Sequence, residues 1–191
     1  KTYIKEVVKE NGKVVGVKGE FLGEEFTEKC RVLVAADGIE SKISRMAGLN
    51  TTANPWLVDS GFQFEMVGID IPDPRKIYLY FGNKIAKRGY VWIFPKGKDV
   101  ANVGIGILGK SEKSAREYLT EFIESREELR KGSILEVNAG GIPVGGLLRK
   151  MTLDNFLVLG DAAHQVNPIH GGGMFEAQFA AKIAAEVIDE S

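Results

Sequence analysis

The chain is 191 residues long and 44% hydrophobic, enough to bury the core of one domain or one and a half. Its 25 lysines and arginines nearly balance 26 aspartates and glutamates, and the net charge of −1 excludes a polyanion-binding surface and with it a nucleic-acid partner. No apolar run approaches the roughly 20 residues that span a bilayer and no leader pattern opens the sequence, so the expectation is a cytoplasmic protein whose contact with a membrane is peripheral, at the inner face.

In chain order, Thr2 to Val8 and Lys13 to Val17 are β-rich and separated by Asn11-Gly12, which predicts a hairpin. Glu20 to Glu28 carries Phe21, Leu22 and Phe26. The continuous run Cys30 to Ala36 then reads as a strand buried on both faces, with Cys30 as a buried strand thiol. A lone cysteine excludes an internal disulfide and fits a reducing compartment. Asp37-Gly38 ends the strand, and Glu40 to Ala47 predicts a short helix with Ser41 as N-cap and Gly48 as its stop.

Between Leu57 and Leu108 the pattern is one of successive strands: Val58 to Ile69, Lys76 to Phe81, Gly89 to Phe94 and Ala101 to Leu108. Pro72, Pro74, Gly82 and Pro95-Lys96-Gly97 punctuate them, which predicts an antiparallel sheet. Lys110 to Leu129 predicts an amphipathic helix burying Ala115, Leu119, Phe122 and Ile123, with Ser111 and Ser114 as capping candidates. Ser133 to Ile142 reads as a further strand, Pro143 to Gly146 as a turn, and Leu147 to Leu153 as the approach to a last motif. That motif, FLVLGDAAHQVNPIHGGGMFEA, starts with a short apolar strand, breaks at Gly160-Asp161, and enters a small-residue helix through Gly171, Gly172 and Gly173.

A carboxylate after a strand and a glycine-rich helix start are together a way to hold a dinucleotide. Asp161 can accept hydrogen bonds from ribose hydroxyls, and the helix start favours negative charge. Asp37 ends another strand, where ligands of open α/β sheets bind, although Asp-Gly alone is usually just a turn. Pro168 stiffens the loop. His164 and His170 lack the companions a metal would need, and no nucleophile elbow is present. In GYVWIFPKG, Tyr90, Trp92 and Phe94 alternate and share one side of a strand. That side is either packed on the core or the wall of an apolar pocket.

Taken together, VLVAADGIESKISR and the last motif resemble the DG and GD motifs of FAD-dependent oxidoreductases of the p-hydroxybenzoate hydroxylase type. Within that superfamily, GYVWIFPKG followed by ANVGIGIL resembles the geranylgeranyl reductase family, whose members carry a YxWxFPK signature at an isoprenoid pocket. The resemblance implies an α/β (α+β) fold: residues 1–50 and 151–191 as parts of an FAD-binding domain, and 51–150 as an antiparallel substrate-binding sheet with one helix. It implies FAD contacts from Asp37, Gly38, Gly160, Asp161, Ala162, Pro168, Gly171, Gly172, Gly173 and Met174, and an isoprenoid lipid held by Tyr90, Trp92, Phe94 and His170, with no metal. The implied activity is saturation of geranylgeranyl double bonds in archaeal-type lipid synthesis. An FAD monooxygenase is the alternative, and a prenyl-lipid-binding module without catalysis a second. No residue is assigned as the catalytic acid, and the electron donor stays open between NAD(P)H and a ferredoxin-like protein.

One departure stands out. The superfamily's GxGxxG strand, turn and helix has no match, since Gly104 and Gly106 fall inside a strand. The chain therefore reads as a piece of something longer that binds FAD weakly or not at all by itself.

Overall fold

The computed structural model of the chain describes residues 2–190. It divides into two compact units, one made of the residues up to Asn54 together with those from Pro143 onward, the other of Pro55–Ile142.

In the first unit, β1 (Thr2–Glu10) and β2 (Lys13–Phe21) form the hairpin that Asn11-Gly12 predicts, both turn residues having positive φ. The structure adds a second reversal at Leu22-Gly23, leading into β3 (Glu24–Lys29). Leu22 sits there at φ 51° and 77% exposed. Only Gly23 resembles a turn signal, so the sequence conceals this hairpin.

The expected doubly buried strand is shorter and more open than its sequence implies. β4 is Leu33–Ala35, Val34 is exposed, and Cys30 precedes the strand, half-buried, with desolvation pushing its thiol pKa up. Among the described residues β4 is the edge of a three-stranded sheet, paired with β11 (Phe156–Val158), which in turn pairs with β10 (Thr152–Leu153). β11 runs parallel to β4 and antiparallel to β10. Ala35, Phe156 and Val158 are buried with Val7, Val14, Ala47, Leu49, Ala162 and Ala163 in this unit's core. The parallel pairing puts the loop after β4 and the loop after β11 at the same end of the sheet.

Helix α1 (Lys42–Met46) follows β4, and Gly48 beyond it takes φ 93° as its stop. Ser41 occupies the N-cap position but makes no capping bond. Instead the Asp37 carboxylate accepts the Ile43 N–H at 2.8 Å. Residues 174–189 form α4 (Met174–Asp189).

The second unit is a five-stranded sheet ordered β6-β7-β8-β5-β9, from β5 (Val58–Val67), β6 (Tyr78–Phe81), β7 (Tyr90–Pro95), β8 (Val100–Leu108) and β9 (Ser133–Pro143). β5, β7 and β6 pair antiparallel around β8 as the punctuation predicts. Helix α2 (Ala115–Glu124) lays Ala115, Leu119, Phe122 and Ile123 against Phe64, Met66, Val91, Ile93, Val103 and Ile105.

The single helix expected over 110–129 is two, because α3 (Glu127–Arg130) is separate. Ser125 Oγ and the Arg126 guanidinium both donate to the Phe122 carbonyl, the acceptor a continuing helix would need. α2 begins only at Ser114, where a capping box forms: Ser114 Oγ accepts the Glu117 N–H at 3.2 Å and the Glu117 carboxylate accepts the Ser114 N–H at 2.8 Å. Ser111 instead donates to the Leu108 carbonyl. Ser114→Ala is expected to destabilise the protein by about 1 kcal/mol, read as a lower urea midpoint at unchanged slope. The bonds from Ser114 hold the Glu117 carboxyl below its ordinary pKa, so the carboxylate's part of the cap is present above that ordinary range and lost as pH falls through the depressed value.

Candidate functional site

In the first unit, the two loops at the common end of the β4/β11 pair bring the DG and GD segments together. The Leu159 N–H donates to the Ala35 carbonyl at 2.9 Å. Ser41, fully buried, donates its hydroxyl to the Ala162 carbonyl at 3.2 Å and so ties one loop to the other. Asp37 is exposed and engaged in capping α1, and Gly38 beside it takes φ 75°.

Gly160 to Ala163 form a 3₁₀ turn in which Gly160, at φ 64°, is bracketed by Gln165. Its N–H donates to Gln165 Oε1 at 2.7 Å, and its carbonyl accepts the Gln165 N–H at 3.0 Å. Ala162 is fully buried. Asp161 is half-buried; desolvation pushes its carboxyl pKa up, and the nearby His164 offsets part of that rise. His164, 7% exposed and left-handed at φ 56°, has a buried Nε2 without a hydrogen-bond partner.

The loop into α4 is braced by Asn167, whose carbonyl and side chain accept the N–H groups of Gly171 and Ile169, at 2.9 and 3.0 Å. The Gly172 N–H donates to His170 Nδ1 at 3.0 Å. Gly171 and Gly172 thus use their N–H groups inside the loop. The donors left at the helix start are those of Met174, Phe175 and Glu176, because the first intrahelical bond is the one from the Ala177 N–H to the Gly173 carbonyl. A Cβ on Gly173 would stand 2.9 Å from Asp161 Oδ1 and 3.2 Å from Val166. Glycine there lets the carboxylate lie against the first turn of a 16-residue helix. Pro168 and His170 are exposed, and Met174 is 85% exposed beside them. A partly desolvated carboxylate acceptor beside unpaired N–H donors suits a ligand with both hydroxyls and negative charge, which is the chemistry of a dinucleotide. Among the described residues no group of His, Cys, Asp or Glu could hold a metal ion.

In the second unit the strand alternation decides between the two readings of the aromatic row. Val91 and Ile93 face the core, at 0% and 6% exposure, so Tyr90, Trp92 and Phe94 occupy the sheet's other face. Their rings form a run: Phe81 to Tyr90 at 5.5 Å, Tyr90 to Trp92 at 5.8 Å, and Trp92 stacked on Phe94 at 5.8 Å.

Trp92 lies flat over Gly104, and its Nε1 donates to Gln63 Oε1 at 3.0 Å. Beside it Gly106 is in register with both Tyr90 and Gly61, and the Ile142 side chain closes over these glycines from β9. The result is a shallow apolar trough walled by the rings, in which Trp92 fills the space over Gly104 and Ile142 the space over Gly61 and Gly106. Asp59 and Arg88 stand at one end, and the Glu65 to Lys96 ion pair at the other. Desolvation pushes both the Tyr90 and Asp59 pKa values up, and Arg88 opposes the rise at Asp59.

Ser41 and Gln165 in the first unit, and Gly61, Gln63, Gly104 and Gly106 in the second, escaped the sequence reading. For the glycines of β8 a signal exists. They alternate with period two just as Tyr90 and Trp92 do, so a face that is aromatic on one strand is empty on the next. Ser41 and Gln165 carry no such signal, since long-range bonds to backbone leave no local pattern.

Residues 58–142 match the family model described as the geranylgeranyl reductase catalytic domain. The chain is 45% identical over 172 residues to a digeranylgeranylglycerophospholipid reductase of Methanothermobacter thermautotrophicus, covering 90% of this chain and 43% of that protein. It is 42% identical over 190 residues to the digeranylgeranylglycerophospholipid reductase of Methanocella arvoryzae, covering 98% of this chain and 48% of the relative. Among solved structures, a geranylgeranyl bacteriochlorophyll reductase-like protein from Thermoplasma acidophilum superposes with a TM-score of 0.88 at 35% identity, over 99% of this chain and 49% of that one. A flavin-dependent brominase shares the fold alone, with a TM-score of 0.76 at 18% identity, over 100% of this chain and 51% of the brominase. The chain thus spans about half the length of the curated relatives it matches.

Proposed function

We propose that the chain belongs to the geranylgeranyl reductase family, and that the whole enzyme saturates carbon–carbon double bonds of geranylgeranyl chains on an archaeal-type glycerolipid, with FAD as cofactor. The observation that carries the proposal is the aromatic row seated on the glycines of β8, which lies wholly within the span matched by the family model. A prenyl chain is long, apolar and unsaturated. A row of half-exposed rings offers it contact area along its length and displaces water from its double bonds.

The residue roles follow from this reading. FAD, when bound, supplies the hydride for the alkene. Asp161 accepts hydrogen bonds in the ribose and pyrophosphate region, supported by Gly160, Ala162 and Pro168 in its loop and by Asp37 and Gly38 in the adjoining one. Gly173 and Met174, at the start of α4, bring backbone N–H groups toward negative charge. Gly171 and Gly172 contribute close approach rather than donors, since their own N–H groups are used within the loop. Tyr90, Trp92 and Phe94 hold the isoprenoid chain. The reducing equivalents come from NAD(P)H or a ferredoxin-like protein. Among the described residues no helix is long and apolar enough to cross a membrane.

The test is a product mass. The intact enzyme, chemically reduced, is given a geranylgeranyl lipid with and without oxygen. Hydrogen pairs gained without oxygen are the expected result. A gained oxygen atom that depends on oxygen would place the enzyme with the monooxygenases, and a colourless protein that binds the lipid unchanged would reduce it to a binding module.

A further inference from the structure

The trough's face does not stop at Tyr90. Leu79 and Phe81 of β6 lie in register with Trp92 and Tyr90, and Ile77 immediately precedes the strand. All three are open to solvent at the edge of the sheet, 43% exposed at Leu79 and 65% at Ile77 and Phe81. Phe81 is in ring contact with Tyr90, so this exposed row continues into the trough.

Cations flank the row at both ends. Because β6 and β7 are antiparallel, Arg75, Lys76, Lys96 and Lys98 gather at one end and Lys84, Lys87 and Arg88 at the other. Residues 73–99 hold these seven cations against two carboxylates, Asp73 and Asp99, within a chain whose net charge is −1. Three further carboxylates face the segment: Glu112 on Lys87, Glu65 on Lys96, and Asp59 near Arg88. Even with these counted, seven cations face five carboxylates. Another exposed apolar stripe, Phe175, Phe179, Ile183 and Val187 on α4, has one cation, Lys182, among Glu176, Glu186 and Asp189.

An apolar row flanked by surplus positive charge matches an anionic lipid surface, where the apolar side chains enter the headgroup boundary and the cations pair with phosphates. We propose that the β6 edge, Ile77, Leu79 and Phe81 with Lys84 and Lys98 beside them, is where the protein docks on an anionic membrane, and that a prenyl chain passes over this edge into the trough. The entry route rests on the function proposed above; the docking surface stands on exposure and charge alone.

The test is flotation of the intact protein with vesicles of phosphatidylcholine containing phosphatidylglycerol, compared with phosphatidylcholine alone. Flotation is expected with the anionic vesicles and is expected to fall with added salt. Lys84→Glu/Lys98→Glu and, separately, Ile77→Ser should each weaken it about tenfold or more, while flavin content and the circular dichroism of the fold stay at the parent level. Variants that float like the parent would overturn the proposal, as would a parent that floats equally on both vesicles or on neither; the last would leave a protein partner for this edge. Because the two kinds of variant perturb different loops, misfolding of one leaves the other to decide. A parent that floats, with variants that do not, in a preparation lacking reductase activity would keep the surface and remove the reductase reading.

Discussion

Gly104→Ala is expected to cut the specificity constant for a prenyl substrate about tenfold or more while leaving flavin content unchanged. A Cβ at position 104 would fall well inside contact distance of the Trp92 indole, striking Cε2, Cζ2 and Nε1, which belong to a rigid ring rather than to a flexible tip. That ring cannot slide sideways, because Phe94 stacks on it at 5.8 Å and Gln63 holds its Nε1 at 3.0 Å. It has to rise off the sheet into the trough. The Gln63 bond is then lost and overpacking costs on the order of 1–3 kcal/mol. The backbone is not the cause, because Gly104 is absent from the positive-φ glycines. The discriminating measurement is a double-mutant cycle with Trp92→Phe. The smaller ring relieves the clash, so the two changes together should cost less than the sum of each alone, with a coupling of about 0.5–3 kcal/mol. Additive costs would show that the indole does not rest on Gly104 in the working enzyme.

The same glycine shows where the sequence was legible and where it was not. β7 and β8 follow from alternation and punctuation, and the hairpin at Asn11-Gly12 follows from turn chemistry. Local rules suffice there because the determinants are local. Gly104 and Gly106 read only as glycines inside a strand, since their role is set by the strand beside them. Ser41 looked like a helix cap. Its hydroxyl instead reaches the Ala162 carbonyl, 121 positions away, while Asp37 does the capping. Cys30 to Ala36 looked doubly buried because its composition is apolar, yet among the described residues β4 is paired along one side and Val34 is exposed. Each of these misreadings involves a residue whose environment comes from a distant part of the chain.

Asp161→Ala is expected to weaken FAD binding by the intact enzyme about 10–100-fold, the scale of hydrogen bonds to a charged acceptor, and Asp161→Asn by less. The pH dependence gives this assignment its sharper test. Desolvation is the larger influence on the Asp161 carboxyl and raises its pKa, with His164 opposing. Between the ordinary aspartate value and the raised one, the folded protein holds more protons than the unfolded chain, so this group's contribution to stability rises as pH falls through that window. Flavin binding moves the other way, because a protonated carboxyl loses acceptor strength toward a ribose hydroxyl and can no longer lie as an anion beside the start of α4. Acidification should therefore loosen FAD before it loosens the fold, with the onset above the usual aspartate range. In Asp161→Ala the flavin affinity should be flat across the same window, while the response of Asp59, raised by burial as well, persists in the stability curve. If the alanine variant keeps the parent's pH dependence of flavin affinity, the acceptor is another group, and Asp161 only shapes the loop.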